Sequence, residues 1–431
     1  MRYLLLFISV LLLKSLFFLP GLYAQETESL DWDIDSIFDE PLQEELPPDN
    51  DTDENETAAV LLQQRGFFLE ASYEFYAGIA PGWYDFPEMR NDNYYFDRFI
   101  KMRNTMDIDV QISEVFRVKS VVYFEVPDFR FRLGDFFFDY RLLDRVFFRG
   151  GKYDLVWGIS PNFGFTNLLS RVPAQDPDSE NKTFFGESFI LKADIPIGKG
   201  GIQILTMTRM DLLQDKPSLP GLNDFGFGGK YNLALQKIDL DLGIFYQLEM
   251  PFRSFLSAKT TLWGFEFYNE WLAAIDFEKP SDWGWAVNLG FGREFFGSKF
   301  KVNGEFFYNG EKETYWYLPE TNIRDADTSP FMEGFNLALN LQYKPWEKGD
   351  PSIFLRTLYA PMENSAQLIP GFRLRPWRHL EFLLAVPMGL GSKDGYYYKN
   401  TYTIDNSAKP LPFAVIFMVT LKGSVQFGQN F

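Results

Sequence analysis

From Phe67 onward, apolar and polar residues alternate one by one instead of recurring at the three-and-four spacing of a helix. Phe67, Leu69, Ala71, Tyr73, Phe75, Ala77 and Ile79 share one register, opposite Glu70, Ser72 and Glu74. Ile100, Met102, Met106, Ile108, Val110 and Ile112 face away from Lys101, Arg103, Thr105, Asp107, Asp109 and Gln111. After Ser113-Glu114 the pattern returns with Phe116, Val118, Val122, Phe124 and Val126 opposite Arg117, Lys119 and Glu125. Ile238, Leu240, Leu242, Ile244, Tyr246 and Leu248 repeat it, as do Phe413, Val415, Phe417, Val419, Leu421, Val425, Phe427 and Phe431. Side chains alternate faces along a strand, so each segment has one oily and one wetter face. The spacing predicts strand after strand from residue 66 to the end, with no repeat of solenoid type and no domain linker.

The connections sort by length. Short ones are expected near 113–114, 149–152, 198–200, 236–237, 296–298, 345–350 and 375–378. Longer ones are expected near 81–97, 128–135, 160–185, 213–223, 311–330 and 390–410. The two kinds alternate to about residue 250. Splitting 251–277 into two strands, with a turn near Lys259-Thr260-Thr261, keeps the alternation and gives eighteen strands with both termini on the short-turn side. Without the split there are seventeen, and sixteen is the other even count. No stretch after residue 24 has the run of about eighteen apolar residues that a spanning helix needs. In a bilayer every backbone N–H and C=O must be paired internally, which leaves a closed barrel. The expected fold class is therefore all-β, a transmembrane antiparallel β-barrel over residues 66–431.

The chain begins differently. Met1-Arg2 precede apolar runs from Tyr3 to Leu13 and from Ser15 to Tyr23, and Ala24-Gln25 is a plausible cleavage point, so 1–24 reads as a signal peptide. Lys14 sits mid-run, where a spanning anchor would place it at the bilayer centre. Residues 25–57 hold seven Asp and seven Glu with no Lys or Arg, supplying −14 of the formal −18. With Pro41, Pro47 and Pro48 and little to bury, 25–65 is expected to be a mostly disordered acidic leader in the periplasm. One piece of it, Leu30 to Phe38, mixes acids with large apolar residues and is either a docking segment or a solvated spacer. Asp49, Asp51 and Asp53 lack the glycine and the closing glutamate of a calcium loop. The absence of cysteine excludes disulfides, thiolate chemistry and a lipidated N-terminal cysteine.

The end of the chain, an alternating apolar register closing on Phe427 and Phe431, resembles the C-terminal signature of bacterial outer-membrane β-barrel proteins. That resemblance implies recognition by the barrel assembly machinery and residence among outer-membrane lipid in a Gram-negative-type envelope. Gln429 departs from the apolar residue usual two before the end. Arg149-Gly150-Gly151-Lys152-Tyr153-Asp154-Leu155-Val156-Trp157-Gly158, followed by Asn162 to Asn167, resembles a recurring strand and loop of some Gram-negative porin families. The aromatic excess, 18% with 47 Phe, and the acidic leader are similar to those of spirochaete outer-membrane barrels, without pointing to one family.

A barrel of sixteen to eighteen strands encloses water unless something plugs it, so its polar registers should line a lumen. Asp139, Arg141, Arg145 and Arg149 share a parity and are expected on one strand. With Lys101, Arg103, Arg117 and Lys119 nearby they form a candidate basic ladder along a channel. They read equally well as ordinary lumen charges paired with Asp107, Asp109 and Glu125. Trp346 and Trp377 fall in short turns, the position of an aromatic belt at the periplasmic interface. His379, the sole histidine, lies beside such a turn and reads as an interface residue, not a catalytic base. No metal cluster, cofactor motif, phosphate-binding loop or nucleic-acid patch appears, and Gly226-Phe227-Gly228-Gly229-Lys230 reads as close packing within a strand. The leading expectation is a porin-like channel for passive diffusion of small polar solutes, not an enzyme. A closed barrel acting through its surface loops and a carrier for an apolar ligand are the alternatives. If the acidic leader visits the basic ladder, deleting 25–57 should raise conductance or change selectivity.

Overall fold

In a computed structural model, the alternating segments form one antiparallel sheet that closes on itself. Residues 66–430 are described, apart from 164–187, 210–224, 248–251, 278–282, 311–333, 347–349, 402–410 and the isolated positions 85, 91–92, 128, 144, 154, 156, 276 and 400. The signal-peptide and leader readings and Phe431 lie outside the described residues.

The longest hairpin opens the barrel, β1 (Gly66–Trp83) with β2 (Tyr94–Ser113), followed by β3 (Phe116–Val126), β4 (Arg130–Leu142) and β5 (Val146–Lys152). Next come β6 (Ser188–Ile197), β7 (Gly200–Arg209), β8 (Phe225–Ala234), β9 (Ile238–Gln247), β10 (Phe252–Leu262) and β11 (Phe265–Ile275). They are followed by β12 (Trp283–Phe295), β13 (Phe300–Asn309), β14 (Gly334–Tyr343), β15 (Ser352–Ala360) and β16 (Ser365–Trp377). Two interrupted strands finish the sheet: β17 (Leu380–Ala385) continues as β18 (Met388–Gly391), and β19 (Phe413–Ala414) continues as β20 (Ile416–Asn430). Each strand pairs with its sequence neighbour, and β20 pairs back onto β1 from Gly66↔Asn430 to Ile79↔Phe417. The result is a closed barrel of eighteen strands, the number expected from the split at 251–277.

The hydrophobicity is inside out. Ile100, Ile112, Leu191, Ile204, Phe227, Leu242, Ile244, Trp271, Leu289, Val425 and Phe427 are exposed on the outer wall. Glu270, Asn288, Glu305, Asn336 and Asn340, on the opposite parity, are buried within the barrel. Apolar exterior, polar interior and no free edge are what a bilayer demands of a sheet, so this is a membrane-spanning barrel of outer-membrane type. One rim carries both barrel ends and the short turns 114–115, 143–145, 198–199, 235–237, 263–264, 296–299, 344–351 and 378–379. We call it the near rim. The far rim carries the longer connections, among them 153–187, 310–333 and 392–412.

Several sequence expectations are corrected. The turn expected at 149–152 lies at 143–145, with Leu143 at φ 51. Gly150 mimics a turn signal but serves packing, since a Cβ there would stand 2.6 Å from the Phe138 ring. Asp139 and Arg141 therefore lie on β4, Arg145 in the turn and Arg149 on β5, so the four do not share one strand. Asp139 and Arg149 instead face each other across the pair. The loop expected at 128–135 is the tight turn 127–129. The strand break inside 251–277 falls at Trp263-Gly264, not 259–261, because a two-residue hairpin turn needs positive φ at both positions, here 54° and 77°. The 375–378 turn lies at 378–379. The glycines of β8 do serve close packing: a Cβ on Gly226 would meet Phe245 at 2.4 Å, and one on Gly228 would meet Trp157 at 3.0 Å.

Candidate functional site

The wall gives way to the lumen at Gly151. Its φ of 142° brings the chain so close to β4 that a Cβ would stand 2.2 Å from the Phe136 carbonyl oxygen. Past Lys152 the chain leaves the sheet, so Tyr153 to Gly158 is not the strand that the porin resemblance implied. It runs inside the barrel toward β13, eight strands away in a ring of eighteen and so close to diametrically opposite. Tyr153 packs edge-on to Phe137 at 5.7 Å. Trp157 lies 5.2 Å from Phe255 of β10 and donates its indole N–H to Gln203 of β7. Phe163 stacks on Phe307 of β13 at 5.1 Å.

Glu305 holds the far end of this inward segment. Its Oε1 accepts hydrogen bonds from the Asn162 amide N–H at 3.0 Å, Asn162 Nδ2 at 2.8 Å and the Tyr268 hydroxyl at 3.0 Å. Its Oε2 accepts from Ser160 Oγ at 2.6 Å, the Phe163 N–H at 3.1 Å and Asn288 Nδ2 at 3.1 Å. The ring of partners is itself braced. Asn303 donates to the Tyr268 hydroxyl at 2.9 Å and accepts from Asn162 at 3.0 Å, while Asn340 donates to Asn162 Oδ1 at 2.8 Å. On β11, Glu270 accepts from the Ile159 N–H. A buried carboxylate is stable only when its lone pairs are satisfied, so this one fixes the segment in place. Gly290 leaves room for the relay, because a Cβ there would stand 2.1 Å from the Tyr268 ring. Gly290→Val is expected to displace Tyr268 from Glu305 and destabilise the fold by about 1–3 kcal/mol, the usual cost of overpacking. A lowered unfolding temperature, followed by gel mobility of the folded barrel, checks this.

A second insertion comes from the far-rim connection 392–412, where the short helix α1 (Tyr396–Lys399) turns inward. Tyr397 donates its hydroxyl to Asn336 of β14 at 3.1 Å, and the Tyr396 N–H donates to Glu363 at 2.9 Å. Thr401 is fully buried, and its carbonyl accepts from Gln367 of β16 at 3.1 Å. Burial raises the Tyr396 phenol above its ordinary range.

The insertions fill one half of the barrel. Glu270, Asn288, Asn336 and Asn340 on β11, β12 and β14 are 0% exposed, and Arg253 and Arg373 are nearly as buried. Across from them, side chains on β2, β3 and β5 keep solvent access: 24% for Lys101, 36% for Arg117 and 36% for Arg149. The candidate ladder residues lie on this open half, paired with acids. Arg103 donates to Glu125 at 2.9 Å, with Lys101 3.5 Å from the same carboxylate. Lys119 stands 2.8 Å from Asp107, and Arg117 forms a two-pronged contact with Asp109. Arg149 grips Asp139 through Nε at 2.7 Å and its terminal nitrogen at 3.1 Å, and lies 4.2 Å over the Phe137 ring. Lys422 of β20 pairs with Glu74 of β1 at 3.1 Å. Half-exposed pairs of this kind contribute about 0–1 kcal/mol each to stability. Their main consequence is the field they set along the wall. Arg145 lies exposed in its near-rim turn, away from these pairs.

Nothing in the alternation of residues announces the amide cluster. Asn336 and Asn340 sit in the alternation Phe335, Leu337, Leu339 and Leu341, so their inward parity was legible. Their convergence with Asn162, Asn303 and Glu305 was not, because it depends on a connection folding inward.

No family model matches this chain, and no curated protein matches it. Among solved structures it is similar to OccAB2 of Acinetobacter baumannii at 9% identity, with 84% of this chain and 98% of that chain covered and a TM-score of 0.49. It is similar also to OccK11 (OpdR) of Pseudomonas aeruginosa at 9% identity, covering 85% and 99%, with a TM-score of 0.49. Pseudomonas putida OprB follows at 8% identity, covering 86% and 96%, with a TM-score of 0.44.

Proposed function

We propose that this chain is an outer-membrane channel for the passive diffusion of small polar solutes, with an off-centre passage along the wall formed by β20 and β1 to β6. The observation that carries this reading is the asymmetry of burial. The inner faces of β10 to β16 are closed by two inserted segments, whereas the charged inner face opposite keeps solvent access. Lys101, Arg103, Arg117, Lys119, Asp139, Arg141 and Arg149 would line the passage, and Arg145 would sit at its near mouth. The near rim is the periplasmic one, since outer-membrane barrels keep short turns there. Trp346 and Trp377, both exposed at that rim, would rest in the lipid interface, and Phe427 with Phe431 would serve barrel assembly.

The experiment is single-channel recording of the folded protein in a planar bilayer, with the reversal potential taken across a salt gradient. Stepwise openings with weak ion selectivity are expected, because Lys101, Arg103, Arg117, Lys119 and Arg149 each have a carboxylate partner. A silent bilayer containing verified folded barrel would overturn the reading. It would favour the second one, a closed barrel acting through its surface loops, for which the two insertions speak. The apolar-carrier reading gains nothing, since the inward apolar cluster of Ala80, Ile369, Leu383, Ala385 and Ile416 is already packed around the fully buried Leu411.

A further inference from the structure

Five consecutive near-rim turns carry a repeated pattern. In four of them a large exposed apolar residue is followed two or three positions later by an exposed cation: Leu143 and Arg145, Ile197 and Lys199, Leu235 and Lys237, Phe296 and Lys299. Between the third and fourth of these turns, Trp263 stands at the tip of 263–264. Leu143, Trp263 and Phe296 are 81–86% exposed and held at φ of 51–57°, a conformation that bulky side chains rarely adopt. The five turns are consecutive around the ring, so together they form an arc of apolar tips interleaved with cations.

We propose that this arc is the docking surface for Leu30 to Phe38 of the same chain. The segment is the arc's chemical complement: Leu30, Trp32 and Ile34 alternate with Asp31, Asp33 and Asp35, within a stretch from 25 to 57 that has fourteen acids and no cation. It is also on the right side, because β1 starts at the near rim with Gly66 and the preceding chain must leave from there. Residues 39–65 can span up to about 90 Å when extended, at roughly 3.3–3.6 Å per residue, more than the width of the barrel. A nine-residue extended segment is about 30 Å long, and neighbouring hairpin turns lie about 10 Å apart, so one segment covers about three turns. Tethering raises the segment's local concentration to the millimolar order, so a weak contact is populated.

The chain has no cysteine, so a disulfide between two introduced thiols reports the contact without background. In protein carrying the leader and reconstituted in phospholipid vesicles, Ile34→Cys with Phe296→Cys should cross-link within one chain under mild oxidation. The rate should be about tenfold above that of Ile34→Cys with Arg378→Cys, exposed on the same rim in the turn 378–379 outside the arc, as for a populated contact and not for tethering alone. Combined charge reversal, Lys199→Glu, Lys237→Glu and Lys299→Glu, should remove the excess. Equal rates for the two pairs would overturn the proposal, as would insensitivity to charge reversal. Cross-links between chains would assign the arc to a second copy. Quenching by brominated lipid of a fluorophore attached to Trp263→Cys, unchanged on deleting 25–57, would assign it to the membrane surface. Either result would also overturn the proposal. The readout does not depend on conduction, so a silent channel leaves it intact.

Discussion

Replacing Glu305 by alanine should raise single-channel conductance several-fold while leaving the barrel closed. Glu305 accepts six hydrogen bonds, four of them from the inward segment: Ser160 Oγ, the Asn162 N–H, Asn162 Nδ2 and the Phe163 N–H. Bonds to a charged acceptor contribute about 1.5–3 kcal/mol each, and even with strong non-additivity their joint loss amounts to several kcal/mol. That is enough to move the inward segment from held to largely released. The wall itself loses little, since β13 keeps its backbone ladders to β12 and β14. Glu305→Gln is the companion variant: it preserves volume but turns an N–H₂ toward donors, and it should open the passage in the same direction. Conductance unchanged in both variants, with gel mobility showing folded barrel, would mean that the segment does not restrict the passage.

Removing acids from the open wall should turn a weakly selective channel toward anions. Asp109→Asn with Asp139→Asn leaves Arg117 and Arg149 without their carboxylates, and both face the solvent-accessible half. The reversal potential across a potassium chloride gradient should move toward the chloride value, and Lys119→Gln should move it the other way by freeing Asp107. The shift should be large at 0.1 M salt, where the screening length is about 10 Å, and nearly vanish at 1 M, where it is about 3 Å. A reversal potential indifferent to all three substitutions would place the ion path elsewhere.

The strands were legible because a two-sided wall writes its two environments into alternate residues. Ile100 to Ile112 against Lys101 to Gln111 needs no structure to interpret. Turns were less legible where apolar residues occupy both registers. Phe136, Phe137 and Phe138 hide the parity of β4, and the glycine pair 150–151 imitates a turn while making room for Phe138 and the exit from the wall. That displaced the Asp139–Arg149 relation from one strand to two facing ones. The pairing of the ladder with Asp107, Asp109 and Glu125 was among the sequence's own alternatives, because opposite charges directly or diagonally across adjacent strands lie within reach. What alternation cannot encode is the destination of a connection. Trp157 and Asn162 look like loop residues until Gln203, Glu270 and Glu305, distant in sequence, receive them.

The central claim is that solute passes along the β1–β2 side and not along the filled side. The most direct test is thiol modification during recording, since each introduced cysteine would be unique. Ser72→Cys and Thr105→Cys, in register with each other on the inner face of β1 and β2, should give a stepwise fall in current when a bulky thiosulfonate is added. Ser257→Cys and Ser352→Cys, each 1% exposed on the filled side, should leave the current unchanged. Block at Ser257→Cys or Ser352→Cys with none at Ser72→Cys and Thr105→Cys would contradict the account.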